Sequence, residues 1–372
     1  MNKTVSRIFT PLAVLLFISC ESDVDIVAPE KDVPVAYALL DADADTQFVK
    51  VNRLLQGTES FDELANNRDL AEYENLDISI TKVEAFNTAQ EGLQYEDVEF
   101  LGPLEPIEVN NKQEGLFYSP NQTVYYTTAQ LEDDAYYKIN ITTPQGTQME
   151  GYTGMVQIPA FRVLGSSETQ WRQNGISFIA ANEILEQLSF RVTQPVRARA
   201  LQTKIVFTYK DIALNGSGNP YFLAEHELEI ELGQNSYDRS RLEQTDRPGL
   251  AEVVLGPRRF YQLIEENVPD LSETPQVEQR ILDSGRIEIT FVSDDIQLYS
   301  EVARPSESLL EDKPSFSNWS DGVGVIGSRG KYVFRIGLNR ATLEELKNAQ
   351  ISGLTGAKGF CNAREPNDCL LR

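Results

Sequence analysis

The 372-residue sequence holds a single histidine, three cysteines, three methionines and two tryptophans. The histidine count excludes the most. A Ser-His-Asp triad, a histidine-paired cysteine or a zinc site with several imidazoles would each have to pass through His226. Basic residues are also scarce, with 33 Lys and Arg against 57 Asp and Glu and a formal charge of −24. A body this acidic repels phosphate backbones, which excludes nucleic acid as an expected partner. It repels anionic headgroups as well, and its acidity favours solubility. No apolar run reaches the roughly 20 residues of a membrane-spanning helix. The glycine-rich run from Gly322 to Gly330 lacks the Lys-Ser/Thr and the spacing of a phosphate-binding loop. Internal repeats, low-complexity tracts and cofactor motifs are absent, so no cofactor is expected.

What is present begins at the N-terminus. Lys3 and Arg7 precede the apolar run Ile8 to Ile18, which ends at Ser19-Cys20. This resembles the lipobox of bacterial lipoproteins, with Phe17 where leucine is usual. The resemblance implies a signal peptide over residues 1–19, cleavage before Cys20 and acylation of Cys20, palmitate included. Several acyl chains on one cysteine exceed the two-signal threshold for stable anchoring. The acidic Glu21-Ser22-Asp23-Val24-Asp25 that follows resembles the surface-export signal of Bacteroidota lipoproteins. It implies an outer-membrane protein at the cell surface, the periplasmic face being the alternative. The other two cysteines, Cys361 and Cys369, are close in sequence, and in an oxidising compartment they read as a disulfide. The chain-entropy model assigns a loop this small roughly 2.6 kcal/mol.

The length suits two globular units, and the 41% hydrophobic share is enough to build their cores. Residues 20–32 are acidic and without periodicity, and read as a flexible tether. From Val33 the pattern has period two. Val35, Tyr37 and Leu39 alternate with small residues, a second strand covers Phe48 to Leu54, and Leu76 to Thr81 alternates strictly. Ser60 and Glu63 have capping-box spacing before a short helix. Tyr137, Ile139 and Ile141 alternate, Pro144-Gln145-Gly146 turns, and Gln148 to Val156 returns. These short strands predict a β-sandwich over residues 33–159, immunoglobulin- or transthyretin-like. Residues 160–355 read as a second β-rich, α+β domain, and residues 356–372 as a C-terminal disulfide loop. Two short helices are predicted in the second domain. Pro257 opens one with the apolar stripe Phe260, Leu263, Ile264 and Val268, and Thr342 with Glu345 opens the other.

The leader, the lipobox, the early strand-turn-strand and Tyr136-Tyr137-Lys138-Ile139-Asn140-Ile141-Thr142 with its turn and return strand together resemble a family of outer-membrane lipoproteins of Bacteroidota, domain-of-unknown-function family 4249. The run Gly322-Val323-Gly324-Val325-Ile326-Gly327-Ser328-Arg329 is similar to a glycine-rich run near that family's C-terminus. The resemblance implies a sandwich followed by a second β-rich domain. It also implies genes beside TonB-dependent receptors, and hence a TonB-dependent receptor or another outer-membrane protein as partner. It supplies no catalytic residue.

The remaining candidates weigh less. Asp41, Asp43 and Asp45 copy the first half of a calcium loop, but Thr46 stands where glycine is needed and Asn52 where the bidentate glutamate belongs. An acidic hairpin turn is the plainer reading, and Glu132-Asp133-Asp134 and Asp294-Asp295 are likewise read as turns. Trp171, Trp319 and the tyrosines at 125, 126, 136 and 137 are candidates for a sugar-stacking platform, although aromatics in β-rich domains are more often core. His226 alternates with Phe222 and Leu228, which predicts an inward position with Glu225, Glu227, Glu229 and Glu231 facing water. The function these features suggest is a non-catalytic surface lipoprotein that binds a ligand or partner of a transport system. The alternative is an extracellular hydrolase acting on glycan or peptide, or a glycan-binding module. A cleft of carboxylates with raised pKa favours the hydrolase, and an exposed apolar or aromatic patch favours the binder.

Overall fold

The structure is a computed structural model and describes residues 31–57, 60–88, 92–111, 115, 118, 121–158, 163–164, 168–237, 249–303, 316–365 and 367–371. Strict alternation builds the first hairpin. Strand β1 (Pro34–Asp41) buries Ala36, Ala38 and Leu40 and turns Tyr37 and Leu39 outward. Strand β2 (Gln47–Arg53) buries Val49 and Val51. Between them the Gln47 amide closes the turn, Nε2 donating to the Asp41 carbonyl at 2.8 Å and Oε1 accepting from the Asp41 N–H at 2.9 Å.

Strands β3 (Asp77–Thr88), β4 (Gly92–Pro103), β7 (Tyr136–Thr142) and β8 (Gln148–Gly154) form a sheet in the order β4-β3-β7-β8. It packs on β1, β2 and β6 (Asn121–Thr127) through one core that includes Ile78, Ile80, Ile139, Leu40 and Tyr125, and β5 (Glu105–Asn110) extends the facing sheet beside β6. The first half is therefore a two-sheet sandwich.

In the second half, β11 (Ala198–Leu214), β12 (Pro220–Ser236), β14 (Gln279–Ser293) and β15 (Val323–Ile336) are long and antiparallel. Their inner faces, with Ile205, Phe207, Ile289 and Phe334, share a core with Phe190, Val253, Phe260, Tyr261 and Leu346. Those partners come from a small sheet, β9 (Val163–Leu164), β10 (Leu188–Thr193) and β13 (Leu250–Leu255), and from the helices Pro257–Asn267 and Arg340–Asn348. The chain is mainly β, with two large cores.

The halves nevertheless share one sheet. Strand β1 runs parallel to β15, from Val35 opposite Val323 to Asp41 opposite Arg329. This joins nine strands, in the order β12-β11-β14-β15-β1-β2-β6-β5, with β16 (Phe360–Cys361) added beside β14. The core changes between Met155 and Val156, while Trp319 and Ile326 from the far end of the chain belong to the first core. A division of the chain at 159 thus cuts between cores and not between sheets, and Pro159 itself lies outside the described residues. The glycine run is the physical reason. Gly324 has φ +117°, and a Cβ there would sit 2.0 Å from the Ala36 carbonyl oxygen, so only glycine lets β15 lie against β1. Residues 356–372 likewise hold more than a disulfide loop, because the 3-10 turn Gly356–Lys358 and β16 tie them to the main sheet.

The helices both match and correct the sequence reading. Ser60 and Glu63 form the reciprocal cap of the helix Phe61–Asn66. The late helix is capped instead by Asn339, whose side chain accepts from the Thr342 N–H at 2.9 Å. The Thr342 hydroxyl accepts from the Phe178 N–H, and Glu345 accepts from the N–H groups of Ile351 and Ser352 beyond the helix end. Asp294-Asp295 opens the helix Asp294–Ala303 and is not a turn, since two carboxylates in a first turn suit the positive helix N-terminus. A further helix, Glu168–Asn174, also went unpredicted.

Candidate functional site

The solvent side of the nine-stranded sheet differs between its two ends. Over the second half it carries a lattice of ion pairs, within and between strands. Lys204 meets Glu229 at 3.0 Å, Arg286 meets both Glu227 and Glu288 at 2.6 Å, and Lys331 meets Glu288 at 2.8 Å. Alternation explains it, because each of these residues has an apolar neighbour pointing into the core. Over the first half the same side carries Tyr37, Leu39, Phe48 and Val124. Phe48 is 50% exposed and Leu39 37%.

The helix Asp294–Ala303 stands along this apolar stripe as a wall. It can lie so close because Gly327 leaves room, a Cβ there meeting Ile296 Cγ1 at 2.4 Å. Tyr299 reaches across from the helix to Tyr37, edge to face at 5.9 Å between centroids, and donates its hydroxyl to the Tyr37 oxygen at 3.2 Å. Burial, with the Tyr299 hydroxyl alongside, pushes the Tyr37 phenol up to about 12, so it stays neutral. Val325 and Ile296 complete a groove of about 310 Å³.

The charged groups on the groove's rim are already paired. Arg329 Nε donates to Asp41 Oδ2 at 2.8 Å. Lys50 Nζ donates to Glu72 Oε1 at 2.6 Å and to the Thr123 carbonyl at 2.8 Å. Burial would raise the Glu72 carboxyl, but Lys50 and Arg68 hold it below its ordinary range. The groove therefore presents apolar walls and a compensated rim. It can hold an apolar or aromatic group.

The predicted site residues fare differently. Cys20, the predicted signal peptide and most of the predicted tether lie outside the described residues. Cys361 and Cys369 form a disulfide with Cα atoms 5.4 Å apart. Asp41, Asp43 and Asp45 do not converge. Asp41 is spent on Arg329 and on the Asp43 N–H, while Asp43 and Asp45 are exposed. Among the described residues no group of three or more His, Cys, Asp or Glu side chains could hold a metal ion. The aromatic platform does not assemble either, since Trp171, Trp319, Tyr125 and Tyr137 are core. Tyr136 instead joins a cluster in which Tyr95 stacks on Tyr152 at 4.4 Å.

His226 lies opposite Tyr209 and on the same face as Leu228, as its alternation predicts, but on the edge strand β12. Its side chain is 42% exposed and stacks on the Tyr209 ring at 4.8 Å. Nε2 meets Asp211 Oδ2 at 2.9 Å, and Asp211 Oδ1 accepts from the fully buried Arg280. No serine, threonine or cysteine hydrogen-bonds its ring among the described residues, so the pair lacks a nucleophile. The register irregularity between Asp211 and Ile212 lies beyond His226 and turns Phe222, its predicted neighbour, to the side of Lys210 and Ile212.

Two features carried no sequence signal. Asp295 is pushed up to about 6 by burial and by Asp294, which is itself paired with Arg199 at 3.5 Å. It does not line the groove. A cavity of about 530 Å³ lies beside the C-terminal disulfide, between Ile212, Phe222, Ile281, Ala363 and Leu371. Its walls include the small core by which the C-terminal segment packs on the sheet. Among the described residues no helix is long and apolar enough to cross a membrane.

No protein-family model matches the chain, and no curated protein matches it. Among solved structures it is similar to the C-terminal globular domain of an oligosaccharyltransferase from Pyrococcus abyssi, at 9% identity and a TM-score of 0.23 over 70% of this chain and 42% of that one. The chain thus spans less than half the length of that structure. It is also similar to CBD12 from CALX1.2, at 12% identity and a TM-score of 0.13 over 74% of this chain and 90% of that one. At these scores the likeness carries no argument about function.

Proposed function

We propose that the protein is a non-catalytic lipoprotein, anchored to the outer membrane through lipid on Cys20 and exposed at the cell surface. In this reading it holds a ligand or partner of a TonB-dependent transport system in the groove beside Tyr37, Leu39 and Phe48. One observation carries the proposal: large apolar side chains stay in water on a sheet whose other end is covered by ion pairs. Contiguous apolar surface of this kind marks binding sites. The hydrolase reading would need a carboxylate pair in a cleft, and the raised Asp295 stands apart from the groove. The test is substrate uptake in cells whose only copy carries Leu39→Glu with Phe48→Glu. Uptake should fall to that of the deletion strain while surface levels hold, and Glu229→Lys should leave it normal. Normal uptake in the groove variant, or glycan or peptide cleavage by the purified protein, would overturn the proposal.

A further inference from the structure

We propose that the outer edge of β4 accepts an extended, basic segment of a partner protein as an added strand. An edge strand offers a row of backbone donors and acceptors, and folded proteins normally cover or charge it. The other edges of the two larger sheets are managed. The edge of β8 is covered, Ser320 N–H donating to the Glu150 carbonyl at 2.8 Å and Gly151 bridging to Trp319. Strand β12 is lined by Glu225, Glu227, Glu229 and Glu231, and its end is tied to the small sheet by Asn235 Nδ2 donating to the Glu252 carbonyl at 3.0 Å. Strand β5 has 6 residues.

Strand β4 has 12 residues and pairs only with β3 among the described residues. Gly92 to Asp97 form a regular ladder opposite Val83 to Thr88, so their outer edge is straight. The register then slips, leaving Val98 unpaired. Val98 is 58% exposed and Phe100 66%, the highest value for a large apolar side chain among the described residues. The charges along the strand share one sign: Glu96, Asp97 and Glu99. Asp97 is met by Lys138 at 2.6 Å, while Glu96 and Glu99 form no salt bridge among the described residues. Two copies pairing through this edge would bring six such carboxylates together, which like-charge repulsion opposes. A segment alternating lysine or arginine with apolar residues meets both features, its cations beside Glu96 and Glu99 and its apolar side chains on Val98 and Phe100.

The probe is a fluorescein-labelled octapeptide of alternating lysine and valine, followed by anisotropy and amide exchange. It should bind the parent protein and slow exchange of the Leu93 to Asp97 amides. Phe100→Asp with Val98→Asp, and separately Glu96→Lys with Glu99→Lys, should each weaken binding about tenfold or more. All four side chains are exposed, so melting curves should match the parent. Phe48→Glu should leave binding unchanged, which separates this edge from the groove. Three results would each overturn the proposal: equal binding by these β4 variants, equal binding of a glutamate-valine octapeptide, or β4 protection that grows with protein concentration without peptide.

Discussion

The two ends of the nine-stranded sheet follow the same alternation and reach opposite surfaces. At the β11–β14 end, outward positions hold Lys204, Glu227, Arg286 and Glu288, whose stems cover apolar positions such as the buried Val206. At the β1–β2 end, the corresponding positions hold Tyr37, Leu39 and Phe48. Both inner faces are packed cores, so stability does not explain the contrast. The difference teaches that charge dominates the water-facing positions at one end, where Val333 stays exposed among the pairs, and large apolar side chains dominate them at the other. The helix Asp294–Ala303, which also packs on β11 and β14, forms a groove with the open end.

Stability measurements can break or sharpen this contrast. The largest effect should come from a charge placed inward. Arg280 is fully buried and holds Asp211, the Pro269 and Lys358 carbonyls and the Thr274 hydroxyl. Arg280→Ala should cost about 3–5 kcal/mol in urea unfolding, because it strands a buried carboxylate. A cost below ~1 kcal/mol would show that this network is not what the second half depends on.

Next comes the covalent tie. Replacing Cys361 and Cys369 by serine should cost about 2–3 kcal/mol on the chain-entropy account. An unchanged midpoint would mean that β16 and its neighbours hold the C-terminus without it.

Asp295 supplies a pH-dependent effect on the helix that walls the groove. Its folded pKa, about 6, lies above its ordinary 3.8, so the folded state binds the extra proton between those values. Its ionisation therefore costs stability as pH rises from about 4 to 6. Asp295→Asn should stabilise by about 2 kcal/mol at pH 8, after discounting for partial exposure, and by nothing near pH 3.5. Melting curves that show no pH-dependent gain would contradict the burial of this carboxyl.

The smallest effects test the contrast itself. Lys204→Ala or Arg286→Ala should move Tm by less than ~2 °C, because exposed pairs contribute little. Leu39→Ser with Phe48→Ser should also stay within about 0.5 kcal/mol of the parent. A loss of several kcal/mol there would make the stripe structural and remove the reason to read it as a binding surface.

Much of the fold was legible where alternation was uninterrupted. The β1–β2 hairpin, β7, β8 and the helix after Pro257 follow directly from period two or from an apolar stripe. Strand β4 was not, because two register shifts and three acidic residues hide its period. The shared sheet was equally hidden. The glycine run was visible, but the parallel partner of β15 lies 288 residues earlier, and single-chain patterning does not carry pairing at that distance. The groove was half legible. Val35, Tyr37 and Leu39 stood out as an alternating apolar set and Phe48 as the start of a strand, yet alternation does not say which face meets water, and Ala36, Ala38 and Leu40 are the buried ones. Tyr299 joins them only through a helix whose first two residues, Asp294-Asp295, read as a turn.

The central claim is that the apolar end of the sheet is kept open for a partner, and amide exchange in native outer membranes tests it most directly. Compared with the purified protein, membrane-bound protein should show slower exchange in peptides covering Pro34–Asp41, Gln47–Arg53 and Asn121–Thr127. Peptides from β11 and β12 should exchange at unchanged rates. Protection confined to β11 and β12, with the Tyr37–Phe48 stripe exchanging as in free protein, would contradict the account.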